Sequence, residues 1–294
     1  MKKALITGSE GFIGKHLQEH LKKLGKYEII RFDIKLNCFH DIRNKANALQ
    51  FVKEHKPDMI IHLAANPDVG ASVKNPYEDL VLNAGGTVNM LEAAKEAGVE
   101  LFILTSTAQV YGEQKQEAMA EDHPISPISP YAESKLAAEN YCEYYRRKYN
   151  VPCVVFRFFN IYGPNQPDSV VVPILIKKIA NADGRLEMYG SKEDSRDFAY
   201  VKDLCRGFEL VMEKKPIGET INFCSGKETY ILELAEITAG LFGKKIEFIY
   251  GGGKADGKIS RMKGSCEKAK RLLGWEPKTG LEEGLREVKR SLGF

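Results

Sequence analysis

The chain has no C-x-x-C pair: its six cysteines (Cys38, Cys142, Cys153, Cys205, Cys224, Cys266) lie far apart. That spacing argues against a zinc or disulfide framework and fits reduced thiols in the cytoplasm. Net charge is equally scarce. With 43 basic and 40 acidic residues the balance is only +3, too small and too evenly spread to imply nucleic acid or an anionic membrane as a partner. No apolar run approaches the ~18 residues of a membrane span. Met1-Lys2-Lys3 leads straight into a short apolar strand, not into a signal peptide. Internal repeats and low-complexity segments are missing as well. What remains to expect is a soluble cytoplasmic protein whose 294 residues, 43% of them hydrophobic, suffice for one large or two modest cores.

What is present is an alternation. Lys3 to Thr7 reads as a buried strand, followed at once by the glycine-rich turn Thr7-Gly-Ser-Glu-Gly-Phe-Ile-Gly14. Phe12, Ile13, Leu17, Leu21 and Leu24 then recur at helical spacing until Gly25. A second strand, 28–32, ends in Asp33, about twenty residues beyond the last glycine. Gly8, Gly11 and Gly14 permit a tight turn and close approach of a pyrophosphate to the helix start, where the N–H groups of residues such as Phe12 and Ile13 favour an anion. Asp33 can accept hydrogen bonds from both ribose hydroxyls and would repel the extra phosphate of NADP. The unit therefore predicts NAD binding.

Downstream, a helix over 44–55 leads to a strand at 59–63, one over 77–97 to a strand at 101–106, and one over 131–149 to a strand at 154–159. Near-continuous apolar strands between amphipathic helices predict an α/β fold, a doubly wound parallel sheet covered on both faces. Small or polar residues end each strand: Ala64-Ala65-Asn66, Thr105-Ser106-Thr107, Asn160. In such a sheet those ends form the ligand crevice. From about Gly163 the pattern loosens. A boundary loop over 163–170, a helix near 171–182, short strands near 186–189 and 219–223, and helices near 231–242, 266–273 and 281–292 predict a smaller mixed α/β unit. The division expected is 1–165 and 166–294, with about 196–215 returning to the first part. Gly251-Gly252-Gly253 reads as a loop.

Tyr131 and Lys135 stand four apart in Tyr131-Ala-Glu-Ser-Lys135, which on a helix puts them on one face. A phenol titrates near ~10, and an ammonium beside it favours the phenolate, making a general base.

Eight motifs in order resemble the extended short-chain dehydrogenase/reductase superfamily, in its NAD-dependent nucleotide-sugar epimerase/dehydratase branch. They are TGSEGFIG (7–14), HLAA (62–65), NAGGTVNMLEAA (83–94), STAQVYG (106–112), YAESK (131–135), RFFNIYGP (157–164), RDFAYVKD (196–203) and KAKRLLGW (268–275). The resemblance implies a Rossmann fold, NAD, a nucleotide-diphosphate sugar substrate and a homodimer. The dimer would pair the helices near 77–97 and 131–149, with Tyr141, Tyr144 and Tyr145 available at the contact. It implies that Asp41 and Ile42 contact adenine, that Ala64, Ala65 and Asn83 line the cofactor, and that Lys135 bonds the nicotinamide ribose. Thr107, Tyr131 and Lys135 would be catalytic, Asn160 and Arg196 would bind the diphosphate, and His62 would be structural.

Dehydratases of this branch carry Asp-Glu directly after the catalytic threonine. Here those positions hold Ala108 and Gln109, which can neither protonate a leaving hydroxyl nor abstract a carbon-bound proton. The implied reaction is C4 epimerisation of the UDP-glucose/UDP-galactose type. A nucleotide-sugar reductase is the alternative, and a non-catalytic dinucleotide-binding protein a third reading that the intact Thr107, Tyr131 and Lys135 disfavour. In the less regular 251–265 stretch, Arg261 is the expected phosphate contact, Lys258 its rival, and Met262 is placed near the sugar.

Overall fold

Six parallel strands run through the centre of the computed structural model, which describes residues 1–251 and 259–294. Strand β1 (Lys2–Thr7), helix α1 (Phe12–Leu24) and β2 (Tyr27–Phe32) make the first unit. Helix α2 (Lys45–His55) leads to β3 (Met59–His62). Two short helices, α3 (Val69–Lys74) and α4 (Pro76–Leu80), precede α5 (Gly86–Ala97) and β4 (Leu101–Thr107). Then come α6 (Pro130–Tyr149), β5 (Cys153–Phe158), β6 (Asn160–Tyr162), α7 (Val171–Asn181) and β7 (Arg185–Met188). The remainder is β8 (Ser195–Arg196), β9 (Phe198–Tyr200), α8 (Val201–Lys214), β10 (Thr220–Phe223), β11 (Thr229–Tyr230), α9 (Ile231–Leu241), β12 (Glu247–Tyr250), α10 (Glu267–Leu273) and α11 (Leu281–Ser291).

The main sheet has the order β2-β1-β3-β4-β5-β10. From β1 the chain steps outward to β2, then crosses back to lay β3 on the other side of β1. A crevice opens at such a reversal, outside the carboxyl ends of the strands. Both faces are dry because successive residues alternate between them. Leu5, Ile60, Phe102 and Val155 enter one core with Val52 and Leu91; Ile6, Ile61, Ile103 and Phe156 enter the other with Leu17 and Phe208. Each such side chain contributes ~1.5–3 kcal/mol on burial. A further core gathers Tyr162, Ile176, Phe198, Leu234 and Leu285 from α7, β6, β9, α9 and α11.

Two expectations differ from what the chain does. The predicted helix over 77–97 is continuous but not regular: α4 passes through a π turn at Val81–Gly85 into α5. The extra residue in that turn accompanies a tight fit, since a Cβ on Gly86 would lie 2.4 Å from Cδ1 of Ile42. The segments near 219–223 and 266–273, expected in the smaller unit, join the main sheet. Strand β10 covers the open edge of β5 in parallel register, Ile221 opposite Phe156. Ala269, Leu273 and fully buried Trp275 pack into the same core, and the Trp275 indole donates to the Asp203 carbonyl at 2.8 Å. Hydrophobic periodicity alone says what is buried, not against which sheet.

No helix among the described residues is long and apolar enough to cross a membrane.

Candidate active site

The glycine turn is built by contacts that only glycine allows. Gly8 has φ +68°, and a Cβ there would meet the backbone N of Ala64 at 2.8 Å; a Cβ on Gly14 would meet the Gly8 carbonyl at 2.4 Å. Gly11 N donates to Gly8 O at 3.0 Å, and as N-cap Gly11 supplies no side chain to the first turn of α1. The N–H groups there are left for another acceptor. Phe12 and Ile13 open that helix. Asp33, buried at the end of β2, is tied to the turn: its carboxylate accepts from Glu10 N at 2.8 Å and from Lys35 N at 2.9 Å. This cradle fits a dinucleotide pyrophosphate with a ribose beside it.

A buried relay holds the cradle to the next strand. Ala64 N donates to Thr7 Oγ1 (3.1 Å), Thr7 Oγ1 pairs with His62 Nδ1 (2.8 Å), His62 Nε2 pairs with Thr87 Oγ1 (3.1 Å), and Thr87 donates to Asn83 O (2.6 Å). Because Thr87 already donates, His62 must carry its proton on Nε2. Burial holds the imidazole down to about 3, so it is neutral and structural, as expected. Asn83 continues the network instead of offering a free amide. Its Nδ2 donates to Asp79 and Ser134, both at 3.1 Å, and its Oδ1 accepts from Asn66 N at 2.9 Å. It fastens Asn66, the residue that follows Ala64 and Ala65. Ile42 is buried against Gly86, and Asp41 is fastened to Arg43 at 2.7 Å.

Helix α6 starts where two signals coincide: Ser129 accepts from Ala132 N at 3.2 Å and Pro130 occupies the first turn. Tyr131 therefore falls in that turn, its N–H donating to Ser72 Oγ at 3.1 Å. Thr107 ends β4, accepts from Gln109 N at 3.2 Å, and acts on the Tyr131 phenol in the direction that favours the phenolate. Tyr131 and Lys135 are buried, 7% and 2% exposed. The electrostatics depart from the simple expectation. Burial pushes the phenol up to about 12, and the group drawing it down is Thr107, not Lys135. Burial likewise pushes the Lys135 ammonium down to about 8, opposed by the charge of Glu139. Desolvation dominates because both charged forms lose water in the same closed corner.

On the other side of the crevice, Asn160 opens β6 and is fixed by its N–H to Asp197 O at 2.9 Å. Arg196 donates from Nη1 to the carbonyls of Ser195 (2.7 Å) and Ser260 (3.1 Å), and no carboxylate among the described residues lies within ion-pair distance. Burial lowers its affinity for a proton. Asp194 and Glu113 act on the guanidinium from a distance, and neither pairs with it directly. Arg261, by contrast, makes a bidentate pair with Glu228 at 2.8 and 2.9 Å, so the position expected to bind phosphate is engaged within the protein. Met262 is buried with Val110, Tyr111 and Phe159, a core role in place of the expected sugar contact. Lys258, Gly252 and Gly253 lie outside the described residues.

Several organising residues escape a motif reading. Asp197 accepts from Ser225 N, Ser225 Oγ, Gly226 N and Gly264 N, tying three segments together behind Asn160. Asp79 anchors Ser134 at 2.5 Å behind Tyr131. Arg157 and Glu139 form a buried pair at 2.6 Å. A lone arginine inside the apolar strand 154–159 was the signal available for the last of these.

The chain matches the NAD dependent epimerase/dehydratase family over residues 4–224. It is 34% identical to an uncharacterized UDP-glucose epimerase of Bacillus subtilis, over 96% of this chain and 95% of that one. The UDP-glucose 4-epimerase of Thermotoga maritima, solved with UDP-glucose, superimposes with a TM-score of 0.92 at 31% identity, covering 99% of this chain and 98% of that one. The UDP-glucuronic acid 4-epimerase of Bacillus cereus, solved with UDP-glucuronic acid and NAD, gives 0.89 at 30% identity, with 99% and 98% covered. With three quarters of its length inside the family's span and the cradle, Thr107, Tyr131 and Lys135 in one crevice, this chain belongs to the NAD-dependent epimerase/dehydratase family.

Proposed function

We propose that the protein interconverts the C4 epimers of a nucleotide-diphosphate sugar, of the UDP-glucose/UDP-galactose type, with no net redox change. The observation that carries this reading is Thr107 acting on the buried Tyr131 phenol, one helical turn from Lys135, followed by a turn whose residues Ala108 and Gln109 supply neither acid nor base. Oxidising an alcohol carbon requires loss of its hydroxyl proton. Tyr131 is the group to take it, Thr107 steadies the charge developing on the same oxygen, and Lys135 supplies positive charge behind the phenol. NAD, when bound, supplies the hydride acceptor and donor. Arg196, half-buried and outside every ion pair among the described residues, suits the substrate diphosphate, with Asn160 beside it. The 4-keto sugar then turns over about that diphosphate anchor, so that hydride would come back to the opposite face of C4 while Tyr131 returns the proton to the C4 oxygen. The relatives solved with UDP-glucose and with UDP-glucuronic acid support a UDP-sugar. Exposed Tyr141 and Tyr144 on α6 suit a homodimer contact, whereas Tyr145 donates to Glu92 inside the chain at 2.5 Å.

The test is direct. The protein is denatured and its released dinucleotide identified; fresh protein is then given UDP-, GDP- and dTDP-sugars without added cofactor. Retained NAD and inversion at C4 are expected. Turnover only with consumed NAD(P)H would replace this reading with a reductase. Gly14→Ala is expected to abolish NAD retention, because its methyl group would press on two backbone carbonyls, 2.4 and 2.7 Å away. Normal NAD content in that variant would refute the cradle.

A further inference from the structure

Lys135 is a buried ammonium with no ion-pair partner among the described residues. The titratable groups acting on it or facing it are Tyr131, Glu139 and Cys142 on its own helix, Asp79 from α4 and His62 from β3. His62 is neutral, and the Cys142 thiol is pushed well up by burial and stays protonated. Of the two carboxylates, Asp79 is engaged by Ser134 and Asn83 on the Tyr131 side. Glu139 lies one turn further along α6 on the face of Lys135, 7% exposed. Its carboxylate is locked from two directions. Arg157 of β5 donates from Nη2 at 2.6 Å and from Nε at 3.0 Å, and Ser106, the residue before Thr107, donates at 2.5 Å. Arg157 is itself held over the Tyr111 ring at 4.8 Å, and the Tyr111 hydroxyl donates to Asn222 at 2.7 Å.

We propose that the Ser106–Glu139–Arg157 cluster is the positioning device of the catalytic corner: Glu139 keeps the Lys135 ammonium charged while its bond to Ser106 ties α6 to the end of β4 that carries Thr107. The cluster touches neither sugar nor cofactor and acts through Lys135 and Thr107. A salt bridge serving stability alone would not need its carboxylate shared with the neighbour of one active-site residue and set one turn from another. Among the charges acting on Lys135, Glu139 is the leading one that opposes burial. An opposite charge nearby shifts a titration by about one unit or more.

This inference rests on the base assignment, so its test reads Lys135 itself. The ammonium is titrated by NMR in lysine-labelled, cofactor-free protein, its signal assigned by its loss in Lys135→Arg. Glu139→Gln is expected to move the midpoint down by about one unit. Because that variant strands the Arg157 charge, Glu139→Gln/Arg157→Gln, with neither charge, is measured beside it and should shift in the same direction. Glu139→Asp should restore part of the shift. A folded double variant with an unchanged midpoint would overturn the proposal. The alkaline limb of kcat/KM should follow the NMR midpoint, while a purely structural role predicts lower kcat with the limb unmoved. Unchanged turnover in Tyr131→Phe would sink the base assignment and leave the NMR result standing.

Discussion

Tyr131→Phe is expected to lower kcat by about 10²–10⁴, the usual share of a positioned proton-transfer group, and to leave NAD content and folding unchanged. The substitution removes one oxygen. Phenylalanine keeps the ring buried, and the backbone N–H of residue 131 still reaches Ser72. Thr107 keeps its contact with Gln109 N. In the cofactor-free chain the phenol is pushed up to about 12 and Lys135 down to about 8. The sign of the pH dependence follows: the Lys135 ammonium is present below about 8 and lost as pH rises through that value. Loss of the ammonium removes the group expected to bond the nicotinamide ribose, so turnover should fall on the alkaline side. Measurement of kcat from pH 6 to 10, with NAD released by denaturation as the control, tests both parts. A variant that turns over at the wild-type rate would remove Tyr131 from the mechanism.

Arg157→Ala is expected to cost about 3–5 kcal/mol of stability, because it leaves the buried Glu139 carboxylate without its cation. Only the Ser106 hydroxyl would remain to it, and the Tyr111 ring would lose the guanidinium stacked over it. The double variant Glu139→Gln/Arg157→Gln should be more stable than the single, since neither member of the pair is left charged without the other. Urea unfolding of the three proteins decides it. A single variant within about 1 kcal/mol of wild type, the value of an exposed pair, would mean that the pair is not buried as described.

Much of the site was legible in order along the chain, because the motifs that carry it are local. A glycine turn between a strand and a helix is a short-range device, and so is Tyr131 four residues before Lys135. Thr107 could be placed by its strand end. Arg261 and Met262 could not. Their outcomes depend on Glu228, more than thirty residues away, and on a small core with Val110 and Phe159. The same holds for Asn83, whose amide is taken by Asn66, Asp79 and Ser134.

By itself, then, the sequence determined the alternation of strands and helices, the glycine cradle with Asp33, and the pairing of Tyr131 with Lys135, since each follows from local spacing and residue chemistry, while Thr107 is singled out by the motif resemblance. The tertiary structure decided which distant partners meet. It laid β10 against β5, set a π turn within the helix over 77–97, and turned Arg261 to Glu228 while leaving Arg196 outside any ion pair among the described residues. It also buried Tyr131 and Lys135 so deeply that desolvation, not their mutual charge, sets where they titrate. Burial depends on everything packed around a residue, and four-residue spacing carries no record of it.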